Sequence, residues 1–430
     1  MTTRDLPARE IQALEQVGVT AVSRPVAVIA TLVFVITISG VALFERSVDS
    51  AVCRDFGAQM GASLARFDDE GLFAANRALL VAMDEFERRL EEESFLHRWL
   101  LPELQWRLAA LSGLGNEKVY IGRSEWLFFR PDVDHVIGPG FLDPRVQLAR
   151  RRGGEAWQPA PEPDPMPALL EFHHQLESRG IHLIVVPTPV KPTVEAGRLS
   201  RRAEKAESAL QNPSFAAFID SLIEAGIEVV DLAPQLFDRQ RETGRAQYLR
   251  TDTHWTPDAV DYAAGNLAKR VQTALSLTAP GDEPYRRRPI ELTGLGDIAD
   301  MLLLPAGSRW IEAERVEAFM VTRLDGRTWR PQRDAEVLLL GDSFANVFSD
   351  PSLGWGTGAG LGEQLSYHLQ RPIDKLAVNA GGAFQTRRIL QRALAGGEDR
   401  LAGKKLVIYQ FATRELSQGD WQVLPLTPNR

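Results

Sequence analysis

Cysteine is nearly absent from this chain of 430 residues, which contains Cys53 alone. An intramolecular disulfide is therefore impossible, and a zinc site built from several cysteines is excluded. The segment around Cys53 is a poor match to a lipid-attachment site, because Val52 stands where a small residue is expected. A buried or idle thiol is the better interpretation.

An excess of basic residues is also missing. The chain has 49 Lys and Arg against 57 Asp and Glu, which gives a formal net charge of −8. Nucleic-acid-binding proteins normally carry a basic excess, so no nucleic-acid partner is expected. Charged residues make up 25% of the chain and hydrophobic residues 44%, which is the composition of a globular protein.

One stretch lacks charge altogether. Residues 25–44 read PVAVIATLVFVITISGVALF. A helix of this length crosses a hydrocarbon layer of ~30 Å. No convincing small-residue cleavage site follows, so we predict an uncleaved transmembrane anchor, with residues 1–24 as a cytoplasmic tail. Arginines flank the span almost equally, so the positive-inside rule does not fix its orientation.

Apolar residues recur at helical spacing after the span, as in Leu79, Met83, Phe86 and Leu90, so we predict a helical stalk over 45–112. The remaining residues, 113–430, alternate helices with short apolar runs. We expect helices at about 167–179 and 213–225, and strands at 181–186, 227–232, 336–340, 375–379 and 404–409. Near-continuous apolar strands are typical of a parallel sheet covered by helices on both faces. The pattern predicts an α/β sandwich whose ligands bind beyond the carboxyl ends of the strands.

Serine, histidine and aspartate occur where such a sheet would use them. Ser343 follows an apolar strand directly, in Gly341-Asp342-Ser343, and its own N–H could meet a developing oxyanion. Asp252 and His254 lie two residues apart in an extended segment and therefore point the same way. The carboxylate can fix the imidazole tautomer, which leaves the other ring nitrogen to accept the serine proton. Each tripeptide alone is more often structural, and only their combination favours catalysis.

Further residues are candidates for supporting roles. Asn379 or Gly382, after the next strand, could complete an oxyanion hole, although glycines there equally suit a tight turn. Three residues are candidate substrate contacts: Lys191, Trp255 and Arg414. The alternatives are that Lys191 is solvated at the surface, that Trp255 packs in the interior and that Arg414 pairs with an acid. No metal site is expected, because the adjacent His173 and His174 point about 100° apart on a helix.

The ordered segments VYIGRSEWLFFRPD, VVPTPVKPTV, TDTHWTPDAVDYAA, GLGDIADMLLLP, LLLGDSFAN, LAVNAGGAF and YQFATREL carry a resemblance over roughly residues 100–415. The chain resembles the SGNH-hydrolase-like O-acetyltransferases of bacterial exopolysaccharide systems, the alginate O-acetyltransferase group of the AlgJ and AlgX type. In that group Asp and His precede Ser in the chain, whereas simple SGNH esterases have the reverse order. One departure is Glu125, which stands where the group usually has a glycine.

The resemblance implies a three-layer α/β/α sandwich of the SGNH type over residues 113–430. It implies that Ser343 is the nucleophile, His254 the general base and acid, and Asp252 its orienting partner. The reaction would move an acetyl group onto hydroxyls of an exported, alginate-like polysaccharide through an acetyl-serine. A membrane-bound O-acyltransferase would supply the acetyl group, no cofactor is expected, and the catalytic domain would lie in the periplasm, tethered to the inner membrane.

Two other functions remain open at the level of sequence. A polysaccharide O-acetyl esterase could use the same triad with water as the acceptor. A non-catalytic, membrane-tethered scaffold of a secretion complex is the third possibility, although a scaffold has no physical need for all three triad residues.

Overall fold

The computed structural model describes residues 25–35, 40, 50–93, 95–153, 160–277, 281, 284–305, 307–308 and 310–426. The chain divides into two compact units, Met1–Pro102 and Glu103–Arg430.

The first unit contains a helical hairpin. Helices α1 (Ser50–Glu70) and α2 (Leu72–Glu93) pack against each other and are followed in the chain by α3 (Phe95–Ser112), which begins in this unit and ends in the second. The rings of Phe56 and Phe86 stack with their centroids 4.1 Å apart. Arg89 Nη1 lies 3.0 Å from Asp55 Oδ2. Helices are therefore present in the described part of the region predicted as a stalk.

The predicted membrane span falls only partly on described residues, of which 25–35 are helical. No helix in the described part of the chain has both the length and the apolar character needed to cross a bilayer.

The second unit contains the predicted α/β fold. Its strands are β1 (Val119–Ile121), β2 (Leu127–Phe129), β3 (His182–Thr188), β4 (Glu228–Val229), β5 (Tyr285–Gly294), β6 (Glu314–Arg323), β7 (Val337–Gly341), β8 (Asp374–Ala377) and β9 (Leu406–Ala412). Five of them form one sheet in the order β4-β3-β9-β7-β8, and all of its pairings are parallel. Since these five match the five apolar runs, the predicted parallel sheet is confirmed.

Helices cover both faces of this sheet. The helices of the second unit are α4 (Arg130–Ile137), α5 (Pro144–Arg152), α6 (Pro165–Glu177), α7 (Lys191–Val194), α8 (Ala196–Leu199), α9 (Phe215–Glu224), α10 (Ala233–Thr243), α11 (Pro257–Ala274), α12 (Asp297–Met301), α13 (Ser343–Asn346), α14 (Leu361–Leu369), α15 (Gln385–Ala395) and α16 (Glu415–Gln418). Along β7, Leu339 joins one buried cluster with Leu267 of α11, while Leu338 joins another with Phe172 of α6. Alternate side chains of a strand point to opposite faces, so both faces are buried and the fold has three layers.

Two antiparallel hairpins lie outside the sheet. Strands β1 and β2 pair with Val119 opposite Phe129. Their turn holds Ser124 and Glu125 at φ of 51° and 59°, in the left-handed region that favours glycine. Glu125 thus occupies a glycine-type backbone position, and its carboxylate lies 3.2 Å from Arg250 Nη1. The second hairpin, β5 with β6, is not anticipated from the sequence.

Candidate active site

Ser343 stands at the carboxyl end of β7, where the strand passes into α13. The preceding Asp342 caps this helix, because its Oδ1 accepts the Phe344 N–H at 2.8 Å. Its Oδ2 accepts the N–H of Ala412, the last residue of β9, at 2.7 Å. A side chain at Gly341 would come within 2.7 Å of the Ala345 Cβ, so the tight strand-to-helix turn requires glycine.

Asp252 and His254 stand in the loop that leads into α11. Thr256 caps that helix by accepting the Ala259 N–H at 3.3 Å, and Pro257 is its first residue, where a missing N–H costs nothing. The loop is closed by the Leu249 N–H, which donates to the His254 carbonyl at 3.0 Å. These contacts hold the imidazole at the edge of the sheet where the strands end.

The structure brings the three side chains into one hydrogen-bonded chain. His254 Nδ1 lies 2.6 Å from Asp252 Oδ1, and His254 Nε2 lies 2.7 Å from Ser343 Oγ. All three residues are buried, with exposed fractions of 1% for Asp252, 3% for His254 and 8% for Ser343. Nδ1 faces a carboxylate and Nε2 faces a hydroxyl, so the neutral imidazole can accept the serine proton at Nε2.

The electrostatics of the pair favour an ionised aspartate. Burial by itself raises the pKa of Asp252, but the charge and hydrogen bonds of His254 and a bond from Trp355 outweigh it, so the pKa lies well below its ordinary value. Burial lowers the pKa of His254, but the charge and hydrogen bond of Asp252, together with the charge of Asp297, outweigh it, so the pKa lies above its ordinary value of 6.5. The carboxylate therefore stabilises the imidazolium that forms when the serine proton is taken.

Two residues that were not predicted from the sequence donate hydrogen bonds to Asp252 Oδ2, the oxygen that does not face the His254 ring. Trp355 Nε1–H donates to Asp252 Oδ2 at 2.8 Å, and the Asp297 N–H donates to the same oxygen at 3.1 Å. Asp297 also accepts from Thr253, at its N–H (2.7 Å) and at its hydroxyl (2.7 Å). Asp297 belongs to GLGDIADM, part of a segment that carries the family resemblance, so the sequence offered a signal for it. Trp355 stands 103 residues after Asp252, and no motif identified it.

Asp252, His254 and Asp297 each offer a potential ligand atom, and these atoms lie within 4.8 Å of one another. Partial burial and the neighbouring Asp252 carboxylate raise the pKa of Asp297 to about 6. Both oxygens of each carboxylate already accept hydrogen bonds from protein groups. We therefore interpret the cluster as a hydrogen-bonded network and assign no metal-ligand role to its members.

Two of the predicted substrate contacts are wrong. Lys191 has no exposed surface, and its ammonium donates to three backbone carbonyls, of Leu127, Arg250 and Asp252. All its donors are used inside the protein, so it anchors the Asp252 loop and cannot reach a substrate. Burial lowers its pKa to about 8, although neighbouring carboxylates, Asp252 first, oppose the shift. Trp255 also has no exposed surface, and its Nε1–H donates to the Phe344 carbonyl at 3.0 Å, so it packs in the core and cannot stack on a sugar.

Arg414 lies near the triad and keeps 15% of its side chain exposed. Its Nη1 donates to the fully buried Asp132 at 2.9 Å, and its guanidinium lies 5.6 Å from the Phe344 ring centroid. The predicted alternative, pairing with an acid, is therefore present. Its role as a substrate contact stays a prediction.

The predicted oxyanion donors are arranged as follows. Within the described part of the chain, no hydrogen-bond acceptor is assigned to the Ser343 N–H, which leaves it available to a ligand. The Asn379 amide donates to Asp350 Oδ2 at 2.7 Å and accepts from Asn346 at 3.0 Å. Gly382 has φ of 59°, so its position does require glycine, as the turn interpretation expects. The oxyanion roles stay predictions.

Comparison with known proteins identifies the family to which this chain belongs. Residues 119–413 match the family described as "SGNH hydrolase-like domain, acetyltransferase AlgX". "Probable alginate O-acetylase AlgJ" of Pseudomonas aeruginosa is 28% identical over 190 residues, 44% of this chain and 42% of that protein. "Alginate biosynthesis protein AlgX" of Pseudomonas putida is 32% identical over 109 residues, 24% of this chain and 22% of that protein. The chain thus spans less than half the length of these relatives.

A solved structure agrees at the level of the fold. The "O-Acetyltransferase Domain of Pseudomonas putida AlgJ" superposes with a TM-score of 0.50 and 18% identity, over 70% of this chain and 92% of that domain. Together with the match over residues 119–413, this likeness confirms the SGNH-like fold inferred from the sequence. The chain belongs to the family of SGNH hydrolase-like acetyltransferase domains of the AlgX type.

Proposed function

We propose that this protein is an O-acetyltransferase that moves an acetyl group onto hydroxyls of an exported polysaccharide through an acetyl-Ser343 intermediate. The observation that carries the proposal is the continuous chain from Asp252 through His254 to the Ser343 hydroxyl, with gaps of 2.6 and 2.7 Å. These distances lie within the range that proton transfer between a nucleophile and its base requires.

The first step loads the enzyme. His254 Nε2 takes the proton of Ser343 as its Oγ attacks the acetyl carbonyl of the donor. The Ser343 N–H, with Asn379 or Gly382, would face the oxyanion of the tetrahedral intermediate. His254 then returns the proton to the leaving group, which departs and leaves the acetyl ester on Ser343.

The second step transfers the acetyl group. A sugar hydroxyl gives its proton to His254 and attacks the acetyl-serine carbonyl, and the proton returns to Ser343 Oγ as the ester bond breaks. The proposed donor is a membrane-bound O-acyltransferase partner, and the acceptor is an alginate-like polymer. The family membership and the names of the relatives support this chemistry.

The proposed location is the periplasmic side of the inner membrane, with residues 25–44 as a single-pass anchor. The uncharged composition of these residues supports the anchor. Anchoring would keep the enzyme close to a membrane-bound donor and raise the effective concentration of the two.

Replacing the nucleophile tests the proposal. The Ser343→Ala variant should keep the thermal stability of the parent protein and lose polymer acetylation and turnover of a chromogenic acetyl ester. Retained acetylation in a folded variant would remove Ser343 from the mechanism.

The acceptor is tested in the same assay by adding an oligosaccharide. Transfer predicts that the sugar becomes acetylated while acetate release falls. If added sugar receives no acetyl group and hydrolysis is unchanged, the enzyme is an esterase.

A further inference from the structure

Asp297, the first residue of α12, exchanges hydrogen bonds with the loop that carries the triad base. Its N–H donates to Asp252 Oδ2 at 3.1 Å. Its carboxylate accepts from Thr253 in return, the N–H at Oδ1 and the hydroxyl at Oδ2, each at 2.7 Å. Asp252 and Thr253 directly precede His254 in the chain, so these three bonds restrict the backbone from which the imidazole projects.

Packing positions α12 independently of this carboxylate. The Ala299 N–H donates to the Thr251 carbonyl at 3.2 Å. Ile298 has no exposed surface and joins a buried cluster with Leu127 of β2. A variant that changes only the Asp297 carboxylate therefore keeps the contacts that hold the helix, and the effect of the carboxylate itself can be measured.

A hydroxyl connects the Asp297 carboxylate to the imidazole. Thr253 Oγ1 lies 2.7 Å from Asp297 Oδ2 and 3.2 Å from His254 Nδ1. An ionised carboxylate can only accept hydrogen bonds, so the hydroxyl donates to Asp297 and turns a lone pair toward the Nδ1–H. The same N–H donates to Asp252 Oδ1 at 2.6 Å. His254 Nδ1 therefore faces two carboxylates, Asp252 directly and Asp297 through one hydroxyl, with Asp297 Oδ2 4.0 Å away.

Both carboxylates favour the charged imidazole. Against the effect of burial, Asp252 and then Asp297 raise the pKa of His254. Charged groups of neighbouring elements act on the same cluster: Asp132 of α4, Lys191 of α7, Asp300 of α12, Glu314 of β6 and Arg414 after β9. Burial and the charge of Asp252 raise the pKa of Asp297 to about 6, so Asp297 is still ionised when the imidazole takes up its proton. The Asp297 side chain is 31% exposed against 1% for Asp252, so water screens its charge more strongly and its contribution is the smaller one.

We propose that Asp297 is a positioning residue of the active site, a second carboxylate that supports the imidazolium of His254 through the Thr253 hydroxyl. This proposal rests on the acyl transfer proposed above, in which His254 Nε2 takes the proton of Ser343. The positive charge then spreads over the ring, and both carboxylates stabilise it from the Nδ1 side. No proton leaves Nδ1, so the hydroxyl fixes the orientation of the ring and carries no proton to Asp297.

The test uses substitutions that change one contact each in the full chain. Asp297→Asn removes the charge and keeps an oxygen that can accept the Thr253 N–H. Asp300→Asn is the matched control, because Asp300 lies on the same helix near the charge of Asp252, and no hydrogen bond of its carboxylate is assigned in the described part of the chain. Thr253→Val removes the bridging hydroxyl at similar volume, and Thr253→Ser retains it.

Two measurements report on His254. The pH profile of kcat/KM for a chromogenic acetyl ester gives the pKa of the base in the free enzyme. An NMR titration of the protein labelled with ¹³C-histidine, with Ser343→Ala in every sample, gives the same pKa without turnover. The His254 signal is assigned by its absence from a His254→Gln sample.

We expect Asp297→Asn to lower the His254 midpoint by about half a pH unit in both measurements. On the alkaline plateau kcat should fall about threefold, with KM for the small ester unchanged. Thr253→Val should shift the midpoint in the same direction, Thr253→Ser should restore the parental value, and Asp300→Asn should leave it in place.

An unchanged midpoint in Asp297→Asn, or an equal shift in Asp300→Asn, would overturn the proposal and leave acyl transfer standing. Lower thermal stability with a parental midpoint would show that Asp297 is only structural. Should Asp297→Asn fail to fold, the two Thr253 variants decide, and equal midpoints in Thr253→Val and Thr253→Ser would refute the bridge. If the parent protein turns over no acetyl ester, the proposed function fails, while the NMR titration still shows whether Asp297 supports the imidazolium.

Discussion

The indole of Trp355 offers a sharp test of how the triad is held. Its Nε1–H donates to Asp252 Oδ2 at 2.8 Å, while the residue is 1% exposed. The Trp355→Phe variant keeps an aromatic ring and removes this donor. Asp252 then keeps one other donor on that oxygen, the Asp297 N–H at 3.1 Å.

The expected loss of stability in Trp355→Phe follows from the charge of the hydrogen-bond acceptor, Asp252. A hydrogen bond to an ionised group contributes about 1.5–3 kcal/mol, and one between neutral groups about 0.5–1.5 kcal/mol. Trp329 provides the matched control, because it is 7% exposed and its Nε1–H donates to the neutral Ser366 hydroxyl at 2.8 Å. Both Phe variants lose a similar buried ring area, so Trp355→Phe should be the less stable by about 1 kcal/mol or more.

The pH dependence separates the two variants further. The folded pKa of Asp252 is depressed, in part by Trp355. The resulting stabilisation is present above the unfolded pKa of about 4 and is lost as pH falls through the folded value. The excess destabilisation of Trp355→Phe should therefore be complete at pH 7 and shrink below about pH 4, whereas that of Trp329→Phe should have no such dependence.

Urea unfolding at several pH values measures these differences, and acetyl-ester turnover measures their catalytic consequence. We expect a loss of about five- to tenfold in turnover for Trp355→Phe, which corresponds to roughly 1 kcal/mol of transition-state stabilisation. Equal stability and equal turnover in the two variants would refute the idea that the indole supports Asp252.

Three further predictions concern the same site. Acetyl-ester turnover should fall on acidification with a midpoint above pH 6.5. The reason is that Asp252 raises the pKa of His254 and only the neutral imidazole accepts the serine proton. A midpoint below pH 6 in the pH–rate profile would contradict the role of His254 as the general base. Lys191→Met removes the ammonium that donates to the Leu127, Arg250 and Asp252 carbonyls, of which the Arg250 carbonyl keeps the Leu127 N–H as a donor. It should lower the free energy of unfolding by about 3 kcal/mol, with lower turnover; an unchanged urea midpoint would show that the ammonium does not anchor the loop. Gly296→Ala should abolish turnover and destabilise more than Gly326→Ala, because both glycines have positive φ but only a Cβ at 296 would meet the Thr251 carbonyl, at 2.5 Å; thermal melts with equal losses would argue against this close approach.

The sheet and the triad were accessible from the sequence because each depends on a local pattern. Unbroken apolar runs identify strands that are buried on both faces. The polar residues that follow them must then lie at one edge of the sheet. The rule places Ser343, which follows β7, but not His254, which stands 89 residues earlier in a loop before α11. The expectation that the two meet came from the Asp-x-His pattern and the family resemblance.

The errors came from treating sequence adjacency as spatial adjacency. Trp255 follows His254 directly, and neighbours in an extended segment point to opposite sides, so a substrate-facing imidazole turns the indole into the core. Lys191 follows β3, as expected, but the β1–β2 hairpin and the 250–252 loop close over it. Trp355 could not be found because its contact with Asp252 is created by the packing of remote segments.

The β5–β6 hairpin also could not be predicted from a local sequence pattern. Its strands carry many charged residues, and several of their side chains are exposed on both β5 and β6. Neither strand has an uninterrupted apolar run, so the pattern that identifies the central sheet does not reveal them.

The central claim is that Ser343 carries the acetyl group between donor and acceptor. The most direct measurement is rapid acid quenching after mixing the protein with a chromogenic acetyl ester, followed by peptide mass spectrometry. Transfer through an acetyl-serine predicts an acetyl group on the Ser343 peptide that disappears faster when an oligosaccharide acceptor is added. Turnover with no acetyl group ever trapped on that peptide, or with the acetyl group on a different residue, would contradict it.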